Sequence, residues 1–499
     1  MAGYLAIFQP VTLLLILAGV VIGIVFGAIP GLSGTMAVAL CLPFTYSMNS
    51  VDSISMLLAL YLGGVSGGLI ASVLLRIPGT PGSVATIWDG GKMALNGEPN
   101  RALGAGITYS FIGNVFGILC MALVAPQIAA FARNFGPCEY AAVIFFALTL
   151  ISSLSDGNML KALISGCAGL LFAMVGVAPM DNVKRFTFGN ANLNSGFALI
   201  SMMIGFFAIT EVISGAEGAR KGDGAKATLA GRIKGIGVTL KEFIEQIPNT
   251  IIACVVGLGI GILPGIGASS ANIIAYVTCK SASRHPERYG TGCIDGIVAS
   301  EASNNACCGG TLIPLISLGI PGDACTAILL GGLMIHGVVP GPLMFQNNGD
   351  LINSMIAAML VAAIFIFVLQ IGATRLFVKM LATPKNILLS IVACLCVVGA
   401  YTDNSRIFDV YAILLFGFIG FLFRELKIPA APFMLGFVLE NYFETYFRRA
   451  MATYGGDMTI FFRRPISAIF ITIGVVSVVW RLVKNARDSK TAATAAAKS

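Results

Sequence analysis

The chain has 499 residues, of which 57% are hydrophobic and only 11% charged. About a quarter of the residues in a soluble domain are charged, so this composition excludes an ordinary soluble enzyme and points into a bilayer. The net charge of +8 is modest and sits mostly in loops and the tail, which suits cytoplasmic loops beside anionic lipid and not nucleic-acid binding.

Apolar runs fit for a hydrocarbon core about 30 Å thick recur along the chain. They are Val11–Ile29, Gly106–Phe131, Ala141–Leu154, Phe197–Ser214, Thr250–Leu263, Leu351–Phe377, Ile387–Tyr401, Val410–Phe423 and Ile466–Trp480. Together they predict an all-α polytopic membrane protein with about nine to twelve crossings. The first run follows no basic n-region and leads into "GAIPGLSG" instead of a small-residue cleavage site, so it reads as a retained helix.

Helix breakers then appear inside the apolar sequence. "LLRIPGTPGSVATIWDGG", Leu74–Gly91, carries prolines, glycines, an arginine and an aspartate. Near mid-chain, Gly215–Gln246 holds Arg220, Lys221, Lys226, Arg232, Lys234 and Lys241, which the positive-inside rule places in the cytoplasm. The expected organisation is a first membrane repeat at 1–215 and a basic linker at 216–246. A second repeat at 247–464 follows, then a last transmembrane helix and basic tail at 465–499.

The repeat is read from motifs recurring in the same order. "GAIPGLSG" at Gly27–Gly34 returns as "GILPGIGA" at Gly261–Ala268. "GGLIASVLLRIPGTP" at Gly67–Pro81 returns as "GGTLIPLISLGIPGDA" at Gly309–Ala324, and "GGKM" at Gly90 as "GGLM" at Gly331. Irregular backbone at membrane depth persists only where protein or a cavity satisfies its N–H and C=O groups. Proline stops a helix, and glycine lets a ligand approach the backbone. Paired broken helices in matching positions of two halves therefore point to a transporter binding site, with half-helix N-termini suited to an anion. The plainer reading is that these prolines only kink structural helices.

Before the second IPG motif lies "GIVASEASNNACCGG", Gly296–Gly310. Glu301 in so apolar a setting should face a cavity or a partner, and it would repel an anion, so a structural or gating role suits it better than ligation. Ser300, Ser303, Asn304 and Asn305 supply hard oxygens suited to an alkali cation; a short polar loop at the membrane surface would also explain the stretch. Arg76 either pairs with a substrate carboxylate or snorkels to an interface.

Most of the twelve cysteines lie in apolar runs and pack as small hydrophobes, and the two histidines, His285 and His336, do not complete a Cys/His metal centre. Ser33 in "GLSG" formally matches a serine-protease motif, but the repeat puts Gly267 in its place, and His285 lies in a polar loop. An intramembrane serine protease is thus the weaker alternative, and no enzyme activity is expected. A channel or uncoupled exporter of organic anions fits the same broken helices. No GxxxxGK[ST] loop occurs, so the chain itself is not expected to use ATP.

"GAIPGLSGTMAVAL", "RIPGTPGSVAT" with "DGGKMALNGEPNRALG", and "ASEASNNACCGGTLIPLISLGIPGD" with "IHGVVPGP" resemble the large membrane subunit of the tripartite tricarboxylate transporter family. The motifs run from about Gly27 to Pro342, and the layout continues to the end. The resemblance implies a multi-pass permease of the bacterial inner membrane, similar to elevator-type transporters with two inverted repeats, broken helices and re-entrant hairpins. It implies import of carboxylates of the tri- or dicarboxylate class, citrate-like, with Na+ as coupling ion and no other cofactor. It also implies a small membrane subunit, a periplasmic solute-binding protein and membrane lipid as partners, and no nucleic acid. Arg76 stands where the family usually has Asn, Asp323 where it has Ser, and Ser300 where it has the Pro of "APEAANNA".

On this reading Gly79, Thr80, Gly322, Asp323, Thr326, Arg76 and Asn304 are expected to contact substrate. Gly31, Ser33, Gly265, Ser269, Asn304 and Asn305 are expected to contact the ion, with the four glycines exposing backbone. The linker's charge starts the second repeat in the cytoplasm, whereas no Lys or Arg precedes Arg76, which permits a periplasmic start for the first. The tail, with Arg481, Lys484, Arg487 and Lys490, is expected in the cytoplasm, against the pull of Arg463 and Arg464. On a cysteine-reduced background, a cysteine at Gly3 should label from outside and one at Ala225 only after the membrane is opened. Labelling of both from one side would make the repeats parallel.

Overall fold

The computed structural model describes residues 2–29, 32–150, 159–210, 212–214, 237–264, 267–381 and 385–479. Its main helices are α1 (Pro10–Ala28), α2 (Gly34–Cys41), α3 (Ser50–Leu74), α4 (Pro99–Ala132), α5 (Pro137–Leu150), α6 (Met159–Ala173) and α7 (Ile247–Ile262). They continue with α8 (Gly267–Ala282), α9 (Ile294–Leu318), α10 (Ala324–Ile335), α11 (Gly349–Leu381), α12 (Lys385–Asn404), α13 (Ile407–Glu425) and α14 (Ala430–Thr453). A two-stranded ribbon, Gly176–Val177 with Lys184–Arg185, is the only sheet among the described residues. By length and composition α1, α3, α4, α11 and α13 are long and apolar enough to cross a membrane, and shorter apolar helices accompany them. The chain is an all-α polytopic membrane protein.

The helices gather into two units. One comprises Met1–Ala130 and Leu199–Phe421, the other Phe131–Ala198 and Leu422–Ser499. Each unit draws on both halves of the sequence, a partition different from the division around the basic linker. Of that linker, 216–236 lie outside the described residues, and the remainder holds a short helix at Leu240–Glu245.

In the first unit, close packing rests on glycine. A Cβ at Gly23 would meet the Leu60 carbonyl, and one at Gly27 the Gly64 carbonyl, so α1 lies backbone-to-backbone on α3. Gly257 and Gly261 do the same for α7 against the carbonyls of Ser303 and Cys307 on α9. Gly23 and Gly27 each precede their counterparts on α7 by 234 positions, and Leu60 and Gly64 precede theirs on α9 by 243. Small residues at such contacts let helices gain dispersion energy where lipid removes any hydrophobic drive to associate. Across the halves, Gly113 and Gly117 of α4 meet the carbonyls of Ala302 and Ala306 on α9.

Two elements differ from the sequence expectation. Helix α3 was not among the apolar runs, because Ser and Gly dilute its hydropathy; it is nonetheless among the most buried helices. The polar stretch Gly296–Gly310 forms the middle of α9, fully buried, and not a surface loop. In the second unit, Gly166 and Gly169 of α6 pack on Gly436 and Phe433 of α14. There Arg185 holds Glu444 through two 2.9 Å bonds, and Arg448 reaches both Asp181 and Glu444. The Arg448 hydrogen bond holds the Asp181 carboxyl below its ordinary range.

A leucine at Gly261 should overpack α7 against α9 and cost about 1–3 kcal/mol. The control is Gly259→Leu, because a Cβ at Gly259 meets nothing within 4 Å. Thermal melts in detergent should separate the two variants, and equal melts would remove the glycine contact as a determinant. Gly3 is buried against the Asp350 carbonyl, so the labelling cysteine described above belongs at the exposed Tyr4.

Candidate functional site

Four chain breaks define the site, and local chemistry explains each. Ile29 (φ −87°, ψ 115°) and Leu263 (φ −79°, ψ 115°) end α1 and α7 in extended conformation. Each precedes a proline, whose ring disfavours the helical conformation for the residue before it. Helix α3 is followed by Arg76 at φ 58°, and α9 by Gly319 at φ 74°. These left-handed residues stand 243 positions apart. After the IPG turns, Ser83 accepts the Thr80 N–H at 3.3 Å and donates to the Thr80 carbonyl at 2.9 Å. At the matching place, Asp323 accepts the Thr326 N–H at 2.7 Å while the Thr326 hydroxyl accepts the Asp323 N–H at 2.8 Å. This is a capping box, which satisfies two orphan donors at the start of α10.

The breaks meet. A Cβ at Gly267, which opens α8, would lie 2.9 Å from the Asp323 Cβ, and the Ala268 side chain would lie 3.2 Å from one at Gly82. Gly79 backs onto Gly27 and Gly68, Gly322 onto Thr311, and Gly34 onto Gly64. Two side chains then tie each half to the other's IPG turn. The Tyr61 hydroxyl lies 2.8 Å from Thr311 and donates to Asp323 at 2.9 Å. Asn304, 243 positions beyond Tyr61, donates to the Gly82 carbonyl at 2.8 Å. Asn272 of α8 donates to the same carbonyl.

Behind these ties lies a buried polar network. Asn305 donates to the Asn304 side-chain oxygen at 2.5 Å and accepts from Ser66 (2.7 Å) and Asn114 (2.9 Å). Gln370 of α11 donates to the Ser66 carbonyl at 3.0 Å. Glu301 Oε1 lies 2.6 Å from the Thr86 hydroxyl, and its Oε2 accepts from Ser110 at 2.8 Å. Four buried oxygens of this region, Thr80 Oγ1, Asn114 Oδ1, Asn272 Oδ1 and Gln370 Oε1, have no hydrogen-bond partner among the described residues.

Of the residues expected in the site, Gly79, Thr80, Gly322, Asp323, Thr326, Asn304 and Asn305 line these converging turns. Ser33 caps α2 by accepting the Met36 N–H at 3.1 Å, and Ser269 sits half-buried in the first turn of α8. Arg76 is exposed just past α3. Gly31 and Gly265, with Pro30, lie outside the described residues. His336 lies 2.6 Å from Ser53, and His285 3.3 Å from Glu287, so neither serves Ser33.

Sequence reasoning missed Tyr61, Ser66, Thr86, Ser110, Asn114, Asn272 and Gln370. It also missed Asp89, fully buried in a π-helical turn at Ile87–Gly91. The Asp89 carboxylate accepts the N–H groups of Gly290, Gly292 and Cys293 at 2.8–3.0 Å and the Tyr276 hydroxyl at 2.7 Å. A signal existed for Tyr61, because the repeat register sets it opposite Asn304. A separate cavity of about 940 Å³ includes none of the break residues; Arg101, Glu242, Asn249, Arg288, Tyr289 and Asp295 are on its wall. There the Thr239 N–H, then Arg101, holds the Glu242 carboxyl below its usual range, and burial pushes the Tyr289 hydroxyl up. Its mixed charges and lack of unpaired buried acceptors make it a weaker site than the breaks.

Residues 13–435 match the tripartite tricarboxylate transporter TctA family. The chain is 33% identical over 489 residues to an uncharacterized 52.8 kDa protein in the TAR-I ttuC' 3' region of Agrobacterium vitis. That match covers 98% of this chain and 96% of the relative. It is 34% identical over 231 residues to a protein in the TAR-II ttuC' 3' region of the same organism, covering 46% of this chain and 96% of that one. No solved structure matches. With the match running across nearly all of the broken-helix core, the chain belongs to the tripartite tricarboxylate transporter TctA family.

Proposed function

We propose that the chain is a secondary active permease that imports a di- or tricarboxylate across a bacterial inner membrane with Na+. It acts with a small membrane subunit and receives substrate from a periplasmic binding protein. The observation that carries this reading is the meeting of broken helices around buried amides and hydroxyls. The helix starts of α2 and α8 suit a carboxylate, since a helix N-terminus carries about half a positive charge, while that of α10 already carries the Asp323 carboxylate. The four unpartnered oxygens suit a small hard cation, which takes carbonyl and hydroxyl ligands. Binding both at one place couples their movement, and two halves entering from opposite faces would open that place alternately to each side.

In this reading Asn304 and Asn305 hold the ion-binding turns, and Thr80 offers a ligand oxygen. Proteoliposome uptake of labelled citrate under a sodium gradient tests it. Asn304→Leu and Asn305→Leu should abolish sodium-driven uptake, with a folding cost of about 1–3 kcal/mol because Gly82, Ser66 and Asn114 lose partners. Thr80→Val removes only an unpartnered hydroxyl, so it should leave the melt near wild type while raising the sodium concentration needed for half-maximal uptake. Wild-type sodium dependence in Thr80→Val and either Asn variant would remove this region from the ion site.

A further inference from the structure

Glu301 is fully buried in the middle of α9, and so are the groups around it: Thr86, Ser110, Ser300 and Asn304. Its Oε1 lies 2.6 Å from the Thr86 hydroxyl and its Oε2 2.8 Å from the Ser110 hydroxyl. Thr86 Oγ1 lies 3.0 Å from Ser300 Oγ, and Ser300 lies 3.2 Å from the Ile297 carbonyl. All four contacts are hydrogen bonds only when four hydrogens are present. The three hydroxyls supply three. That leaves the count one hydrogen short.

A proton on Glu301 closes it. The carboxyl then donates to Thr86, Thr86 to Ser300 and Ser300 to the Ile297 carbonyl, while Ser110 donates to the second carboxyl oxygen. We propose that Glu301 is a proton-binding site of the transport cycle, neutral in this conformation and discharged when the first IPG turn moves Thr86 away. Burial without a counter-charge favours the neutral acid, because a carboxylate in a dry interior loses its hydration.

Among the described residues no ion pair to a cation compensates it. The buried ionisable groups on the elements packed around it are acids, phenols and thiols, while Arg76 past α3 and Lys280 of α8 are exposed. From α3, Tyr61 bonds Thr311 and Asp323; from segment 84–91, Asp89 is held by loop amides and Tyr276. Tyr109 of α4, Cys254 of α7, and Tyr276 and Cys279 of α8 lie in the apolar cluster beside Ala299 and Ala302. On α9 itself, Asp295 and Cys307 lie more than one turn away along the helix, and Asp323 opens α10 beyond it. The bases flanking this region are also engaged: Lys92 donates to the Gly290 carbonyl, and Arg101 pairs with Glu98 and Glu242.

The inference rests on the permease reading for its transport half only, so two measurements separate the failures. Infrared difference spectra of the purified full chain in lipid test whether the proton is there. At neutral pH a protonated-carboxyl C=O band should appear, shift in D2O, fade as pH is raised, and vanish in Glu301→Gln. The amide of that variant can make the same bonds as the neutral acid. If Glu301→Gln fails to fold, Glu301→Asp decides alone: its band must move from the wild-type position. No band at neutral pH, or a band unchanged by either variant, overturns the site. Uptake in proteoliposomes under an inward pH gradient, at fixed sodium, tests whether the proton moves. Wild-type uptake should rise with the gradient and Glu301→Gln uptake should not. Gradient-insensitive wild-type uptake with the band present overturns the coupling, because the proton would then be a fixture. Absence of carboxylate uptake overturns the permease reading and, with it, the transport half of this one; the spectra then judge only whether Glu301 holds a proton.

Discussion

The structure depends on one constraint: broken backbone inside a membrane must find its hydrogen bonds in protein. Each IPG turn releases N–H and C=O groups where a continuous helix would have paired them. Part of that demand is met locally, by Ser83 on Thr80 and by the Asp323–Thr326 capping box. The remainder is met from the other half of the sequence, Tyr61 reaching Asp323 and Asn304 reaching Gly82. Satisfying the turns therefore joins the halves. Neither IPG turn is complete without a side chain whose counterpart completes the other.

The glycines follow from the same demand. For Tyr61 and Asn304 to reach across, α3 and α9 must sit close to the breaks, which requires α1 and α7 to lie against them without side chains between. Gly27 against Gly64 and Gly261 against Cys307 supply that approach. The left-handed residues complete the geometry. Gly319 takes φ 74° without a Cβ penalty, whereas Arg76 at φ 58° bears one of about 1–2 kcal/mol. Asn and Asp are the non-glycine residues that visit this conformation most readily. Arg76 thus stands at a position whose demand is on the main chain, and its side chain is exposed.

Much of this was legible from linear sequence, because prolines and glycines write their effects locally. Ile29 and Leu263 are extended because the next residue is proline, and Asn304 and Asn305 stood out as amides in an apolar context. What was illegible is the set of single polar residues spaced through apolar helices. Ser66, Ser110, Asn114 and Gln370 form no pattern along the chain, and Ser66, Ser110 and Asn114 meet their partners only across 191 to 239 positions of sequence. Helix α3 hid for a related reason: the Ser and Gly that fit it into the core lower the hydropathy that would have marked it. The repeat register carried one unread signal, Tyr61 at the place of Asn304.

These contacts also bear on how such a protein can move. Backbone-to-backbone packing leaves no slack, so α1 with α3, and α7 with α9, behave as rigid pairs; sliding one past the other would drive a carbonyl into a Cα. Hydrogen bonds between a side chain and a turn are exchangeable, since water, ion or substrate replaces the lost partner. In a transport cycle the joints are therefore the cross-half ties and not the helix pairs. Releasing the Asn304 and Asn272 amides from Gly82 frees the first IPG turn, and Thr86, three residues beyond Ser83, would move with it. On the proposed reading, an occupant that offers those amides a better acceptor, as a carboxylate does, would favour release. A cation that takes the free oxygens of Thr80 and Asn272 would favour closure. The same few atoms would then sense substrate and ion together, which is the thermodynamic requirement for coupling the two.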